Sequence, residues 1–251
     1  MLDIYIILFF ILGSIMGSFY NVVGDRLPLE KSIIKPPSHC PNCQKKLTFI
    51  ELIPIISYLL QLGKCRKCKT KLSISYLLSE VGTGLIFVLC YLTFNLSNEL
   101  LIALVFSSVL IIVIISDLKY LIIPDELLLF GGICLFIIRL IMGSSFLTLL
   151  INVFIPFLVL LLIKIFGDFL FQKESLGGGD IKLMPLFGLV LGWELTLVSI
   201  FFSAFLALPI SLVILHLKRT NIIPFGPFLS LSAYIIYLSK LDISWIINLI
   251  V

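Results

Sequence analysis

The sequence predicts an all-α, polytopic membrane protein with about eight transmembrane segments and one large polar insertion on the cytoplasmic side. Three observations carry this. Of the 251 residues, 60% are hydrophobic and only 13% charged, against roughly 25% charged in a soluble domain, and the mean hydropathy is +1.21. Several apolar runs reach or exceed the roughly 20 residues that a bilayer span needs. No ten-residue apolar/polar alternation of a β-barrel appears, and an isolated strand of chain in lipid closes its own backbone hydrogen bonds only as a helix. Disorder and a soluble α/β enzyme are excluded on the same grounds.

Charge orients the chain. Arg26, Lys31, Lys35, Lys45, Lys46, Lys64, Arg66, Lys67, Lys69 and Lys71 face only Asp25, Glu30 and Glu51 within residues 24–73, a net +7 that leaves the rest of the chain at −3. A basic loop between two spans is what the positive-inside bias predicts for a cytoplasmic connection, so the total of +4 calls for no nucleic-acid partner. No basic residue precedes Ile4, and the positive charge follows the first apolar run. Residues 1–23 therefore read as a retained first transmembrane helix with its N-terminus outside, not as a cleaved signal.

Span 1 covers about Ile4 to Val23, with Gly13, Ser14, Gly17 and Ser18 as a small-residue stripe suited to close helix packing. The polar insertion occupies 24–73, and 74–251 form a transmembrane bundle. Span 2 is expected over Ile74 to Phe94 and span 3 over Glu99 to Ser116, with Asp117 at its cytoplasmic end. Pro124 breaks the connection Leu118 to Glu126, because it cannot continue a helix. Span 4 rises to Met142 and span 5 descends from Phe146 to Phe166, followed by a polar stretch Gly167 to Asp180. The long apolar run from Ile181 to Leu217 is divided near Gly192 into a sixth and a seventh segment, and an eighth runs from Pro224 to Leu238. This count puts Lys119, Lys164, Lys173, Lys218 and Arg219 on the cytoplasmic side and leaves Arg139 and Lys240 as exceptions.

Two C-x-x-C pairs, Cys40-Pro-Asn-Cys43 and Cys65-Arg-Lys-Cys68, stand about twenty residues apart in the basic loop. Four thiolates at this spacing match a tetrahedral structural zinc site, and a cytoplasmic loop is kept reduced, which favours metal over disulfides. Such a closed site has no open coordination position, so its role is structural. His39 would be a surplus fifth ligand. Cys90 and Cys134 read as small core residues.

Carboxylates at membrane depth cost about 2.5–3.5 kcal/mol each on insertion scales, so each needs an explanation. Asp117 follows the apolar run Leu110 to Ile115, and Asp180 follows Gly177, Gly178 and Gly179, which take every side chain off the approach to it. Brought together, two such acids share a proton, activate a water and donate to a carbonyl oxygen, as in an aspartyl protease. Asp180 reads equally as the N-cap of the next helix, and Asp125 more readily as an N-cap than as anything else. Asp168 and Glu174 are expected in a solvated loop. Glu80, inside span 2, is either paired within the bundle or part of a site.

These residues resemble the type IV prepilin peptidases. The matching stretches are Gly17-Ser18-Phe19-Tyr20-Asn21-Val22-Val23 with Arg26-Leu27-Pro28, the two cysteine pairs with Gly63-Lys64-Cys65-Arg66, and Asp117 with Ile123-Pro124-Asp125. They continue with Gly177-Gly178-Gly179-Asp180-Ile181-Lys182-Leu183 and Ile223-Pro224-Phe225-Gly226-Pro227-Phe228, in the family's order and across nearly the whole chain. The resemblance implies an intramembrane aspartyl endopeptidase of the bacterial cytoplasmic membrane with catalytic Asp117 and Asp180. Asp125, the three glycines and Lys182 would support them. Its substrates would be prepilins or pseudopilins, cut behind a short basic leader at the cytoplasmic face. It also implies N-methylation of the new N-terminus with S-adenosylmethionine, in the members that carry the cysteine loop. The competing reading is a proton-coupled transporter that uses Asp117, Asp180 and Glu80 as a relay.

Overall fold

The computed structural model describes residues 2–174, 176–218 and 224–241. Arg219 and Ile223, named above, lie outside the described residues. Long helices dominate, namely α1 (Leu2–Arg26), α3 (Ile74–Phe94), α4 (Asn98–Tyr120), α5 (Asp125–Ile141), α6 (Phe146–Phe171), α7 (Gly178–Leu191), α8 (Trp193–Lys218) and α9 (Gly226–Ser239), with a short α2 (Ile56–Leu60) inside the loop. Among the described residues, extended pairing is confined to two isolated antiparallel bridges, His39 with Lys46 and Lys64 with Lys71.

The expected segments are helical, but among the described residues five helices are long and apolar enough to cross a membrane: α1, α3, α4, α6 and α8. At 17, 14 and 14 residues, α5, α7 and α9 are shorter. Two boundaries move. Helix α4 continues past Asp117 to Tyr120, and α6 runs on through Gly167 to Phe171, so Asp168 sits on a helix and not in a loop. Phe169, Leu170 and Phe171 explain that extension, since they keep the final turn apolar and remain exposed.

The chain forms two compact units, Met1–Leu100 and Leu101–Val251. In the first, α1 packs on α3 through the small-residue stripe. A Cβ on Gly13 would lie 2.6 Å from the Thr83 carbonyl oxygen, one on Gly17 2.8 Å from that of Ser79, and one on Gly84 2.8 Å from Ser14 Oγ. Glycine is what allows the two backbones to touch, the usual way helices associate where lipid offers no hydrophobic drive. Asn21 locks the lower part of the seam by donating to the Gly17 carbonyl and to Ser79 Oγ.

In the second unit α7 is the central element. Leu183, Met184, Leu186 and Phe187 are all buried. Pro156 in α6 has no N–H to give the Asn152 carbonyl, and Gly188 of α7 settles against that carbonyl so closely that a Cβ would lie 1.8 Å from its oxygen. Gly192 ends α7 at φ +83, a conformation costly for any side chain. The last carbonyls of α7 are taken by Arg139 of α5, whose Nε donates to Leu189 O (3.1 Å) and Nη2 to Val190 O (2.9 Å). This accounts for one exception to the charge rule: Arg139 caps a helix C-terminus, where a cation is favoured.

Candidate active site

Asp117 and Asp180 come together in the second unit although 63 positions separate them in sequence. Both are buried, 6% and 7% exposed, and near enough that the charge of Asp117 acts on Asp180. Each carboxylate is held by a glycine. Gly226, the first residue of α9, gives its N–H to Asp117, and a Cβ at Gly226 would lie 2.6 Å from Asp117 Oδ2. Gly177 gives its N–H to Asp180. The N-cap of α7 is thus Gly177, and Asp180 is the third helical residue reaching back to it, so the N-cap expected at Asp180 is corrected by three positions. Ile123 fills the space beside the pair: a Cβ on Gly179 would meet it at 3.1 Å and one on Gly226 at 3.3 Å.

The other supporting residues stand apart from the acids. Asp125 is not an N-cap either, since Pro124 occupies that position with its extended ψ of 129°. The Asp125 carboxylate instead accepts from Lys182 Nζ at 2.7 and 2.8 Å. Both side chains are more than half exposed, so the ion pair contributes at most about 1 kcal/mol and chiefly ties the start of α5 to that of α7. Gly178 has open space around it.

In the first unit Cys40, Cys43, Cys65 and Cys68 bring their sulfurs within 4.8 Å of one another. Cys40 to Cys68 is 3.8 Å and Cys43 to Cys65 is 3.9 Å. Zinc–sulfur bonds of about 2.3 Å in a tetrahedron require sulfur–sulfur edges of about 3.8 Å, so the donor set fits the ion. All four cysteines are free of disulfides. The two pairs are built alike: Cys40 N donates to Lys45 O and Gln44 N to Cys40 O, while Cys65 N donates to Thr70 O and Lys69 N to Cys65 O, each at 2.9 Å. Gln44 and Lys69 take matching left-handed turns at φ 56 and 59. Backbone N–H groups of Cys68 and Lys67 hold the Cys65 thiol below its usual range, and Thr70 beside Cys68 brings that thiol down to about 5. Thiolates, the form that binds metal, are thereby favoured at Cys65 and Cys68, whereas at Cys43 the Lys45 N–H is outweighed by burial and the neighbouring Cys68, Cys40 and Cys65 thiols, which push the thiol up to about 11. His39 is outside the cluster, with Nδ1 donating 2.9 Å to the Pro37 carbonyl.

Sequence reasoning missed Gly226 and the Thr48–Glu51 pair. Gly226 stood in a quoted motif without a role, and nothing local links it to Asp117. Thr48 and Glu51 form a reciprocal capping box, a pattern that Thr48-Phe49-Ile50-Glu51 spells openly. Glu51 also accepts from Lys45 at 2.8 and 3.1 Å. The Lys45 ammonium, followed by the Thr48 N–H, holds the Glu51 carboxyl down to about 2 from an ordinary 4.5. A depressed carboxylate stabilises above its unfolded pKa and loses that contribution as pH falls through the folded one. Glu51→Gln should therefore weaken the loop at pH 7 by roughly 2 kcal/mol, the range for hydrogen bonds to a buried charge. Limited proteolysis across pH checks this: the gap between wild type and variant should hold above pH 4.5 and close near pH 2. Glu80, which the sequence left open between a bundle partner and a site role, is buried and its Oε2 accepts from Ile55 N–H at 2.7 Å.

Residues 11–94 match the bacterial peptidase A24 N-terminal domain and residues 104–212 the type IV leader peptidase family. Three relatives carry the name prepilin leader peptidase/N-methyltransferase. One from Bacillus subtilis (strain 168) is 38% identical over 91% of this chain and 92% of its own length. One from Myxococcus xanthus (strain DK1622) is 34% identical over 80% of this chain and 60% of its own length. One from Aeromonas hydrophila is 31% identical over 92% of this chain and 90% of its own length. No solved structure matches the chain. With an acid pair on glycine N–H groups in one unit, a four-cysteine cluster in the other, and relatives aligned across both, the chain belongs to the type IV leader peptidase family.

Proposed function

We propose that the chain is an intramembrane aspartyl endopeptidase that removes the short basic leader from prepilins or pseudopilins and then methylates the new N-terminus. The observation that carries the first activity is the meeting of Asp117 and Asp180, each anchored by a glycine N–H. Two carboxylates in such a site share one proton: the ionised member takes a proton from water as it attacks the scissile carbonyl, and the protonated member donates to the carbonyl oxygen. Glycines at 177, 178, 179 and 226 keep side chains off the approach, so an extended substrate backbone can reach the acids. Lys182 and Asp125 hold the starts of two flanking helices in register. S-adenosylmethionine supplies the methyl group in the second activity.

The topology follows from charge. The N-terminus is outside, the basic loop 24–73 faces the cytoplasm, and α5, α7 and α9 count as membrane segments with α1, α3, α4, α6 and α8, giving eight in the bacterial inner membrane. The substrate's basic leader stays in the cytoplasm while its apolar helix enters the bilayer, which sets the scissile bond at the boundary where the acids are placed. Mass spectrometry of a co-expressed pilin-like protein tests both activities, because leader loss and a 14 Da methyl increment read out separately, about the mass of one CH₂. An unprocessed substrate would refute the reading.

The four cysteines hold structural zinc in this proposal. The purified protein should carry about one zinc per chain, and any of Cys40→Ser, Cys43→Ser, Cys65→Ser or Cys68→Ser should lose it. Because structural zinc adds folding free energy to its own loop, proteolytic sensitivity of residues 31–73 should rise far more than peptidase activity falls. Elemental analysis together with limited proteolysis checks the stoichiometry and the ranking.

A further inference from the structure

We propose that a cavity in the first unit receives the free α-ammonium group of the cleaved substrate, with Glu80 as its counter-charge, an assignment that rests on the methylation half of the function above. The cavity measures about 220 Å³, and its lining includes Asn21, Asp25, Arg26, Tyr58, Tyr76 and Glu80, leucines 47, 52 and 72, and Cys40 and Cys65 of the sulfur cluster. Glu80 is 8% exposed, and among the described residues its one hydrogen bond is from Ile55 N–H to Oε2 at 2.7 Å. An ionised carboxylate offers about four acceptor sites, and a buried one is costly until a cation fills them. The neighbouring bases are committed elsewhere: Arg26 donates to the Ser32 and Ile33 carbonyls, and Lys45 to Glu51. Ile55 itself stands at φ 62, ψ −57, an outlying conformation for a β-branched residue that the Glu80 hydrogen bond holds in place.

The ligand chemistry follows from the lining. A cavity whose lining carries a buried carboxylate and two tyrosines suits an organic cation, by charge and by the ring quadrupole. Leucines on the remaining wall suit one apolar side chain beside it, so the fit is a primary ammonium on an apolar first residue. Before methylation the nitrogen must give up a proton, and Glu80 is the base at hand. S-adenosylmethionine, when bound, would supply the methyl carbon to the nitrogen lone pair, its carbon–sulfur bonding pair staying on sulfur as a neutral thioether.

The test is calorimetric titration of the full-length protein in detergent, without methyl donor, using leucyl-glycinamide and its N-acetylated counterpart. The free amine should bind at least about tenfold more tightly than the acetylated peptide, as expected when a buried charge pair is lost. Glu80→Gln keeps an oxygen for the Ile55 N–H and should abolish that preference. Equal binding of the two peptides by wild type overturns the proposal without recourse to any variant, and so does an unchanged preference in a folded Glu80→Gln protein. Leader removal and methylation by wild type are followed in parallel. A protein that performs both yet binds the peptides alike refutes this site and leaves the proposed function standing.

Discussion

Asp117→Asn and Asp180→Asn are each expected to lower leader removal by at least about a thousandfold, because groups that act as one catalytic unit fail together when either is lost. Asparagine keeps the size of aspartate and an oxygen to accept the N–H of Gly226 or Gly177, so the local hydrogen bonds survive. What disappears is the proton. An amide neither takes one from water nor gives one to the carbonyl, and the partner acid then has nothing to share with. Processing of a prepilin by each variant, followed by mass spectrometry, checks the loss, and equal membrane yields show that folding is intact. Full processing by either variant would refute the catalytic assignment.

Gly226→Ala should come next in severity, although alanine adds a single carbon. That carbon would sit 2.6 Å from Asp117 Oδ2 and 3.3 Å from Ile123 Cδ1. The oxygen belongs to a short, two-torsion side chain anchored on α4, so relief comes from turning the Asp117 carboxylate away or from shifting the start of α9. Either moves the acid by a fraction of an ångström to an ångström, and misplacement of that order costs on the order of a hundredfold in rate. Gly178→Ala is the control, since nothing lies within 4 Å of a Cβ there. The kcat ratio between the two variants measures the effect, and equal rates would contradict the contact.

The helices were legible wherever a change of composition coincided with a change of structure. Ser73 and Asn95 bracket α3 to the residue because charge ends before one and polarity begins at the other. The break at Gly192 was readable because a glycine interrupts an apolar run too long for one helix. By contrast, Leu118 to Tyr120 gave no sign that α4 continues past Asp117, since a helix end at that point is fixed by the turn that Leu121 makes at φ 57. The two acids that the structure brings together could be chosen from burial cost and the glycine run. Their glycine partners could not, because Gly226 reaches Asp117 across more than a hundred residues and the contact consists of an N–H and a missing side chain. Glu80 was equally undecidable: its partner is a backbone N–H in the loop, which no side-chain pattern announces. Asp125 was misassigned because a good capping residue sat beside a proline whose fixed φ suits the cap position just as well.

Helix α7 is 14 residues long, and at 1.5 Å per residue it rises about 21 Å, some 9 Å short of a hydrocarbon core roughly 30 Å thick. Its far end cannot be extended, because Gly192 turns the chain at φ +83 and Arg139 has already taken the final carbonyls. In the proposed eight-segment topology the shortfall would be met by bending the bilayer inward or by hydrating the gap. For hydrolysis that is an advantage. In that topology water, the co-substrate that a lipid interior withholds, would gain a path to Asp180 at the start of α7.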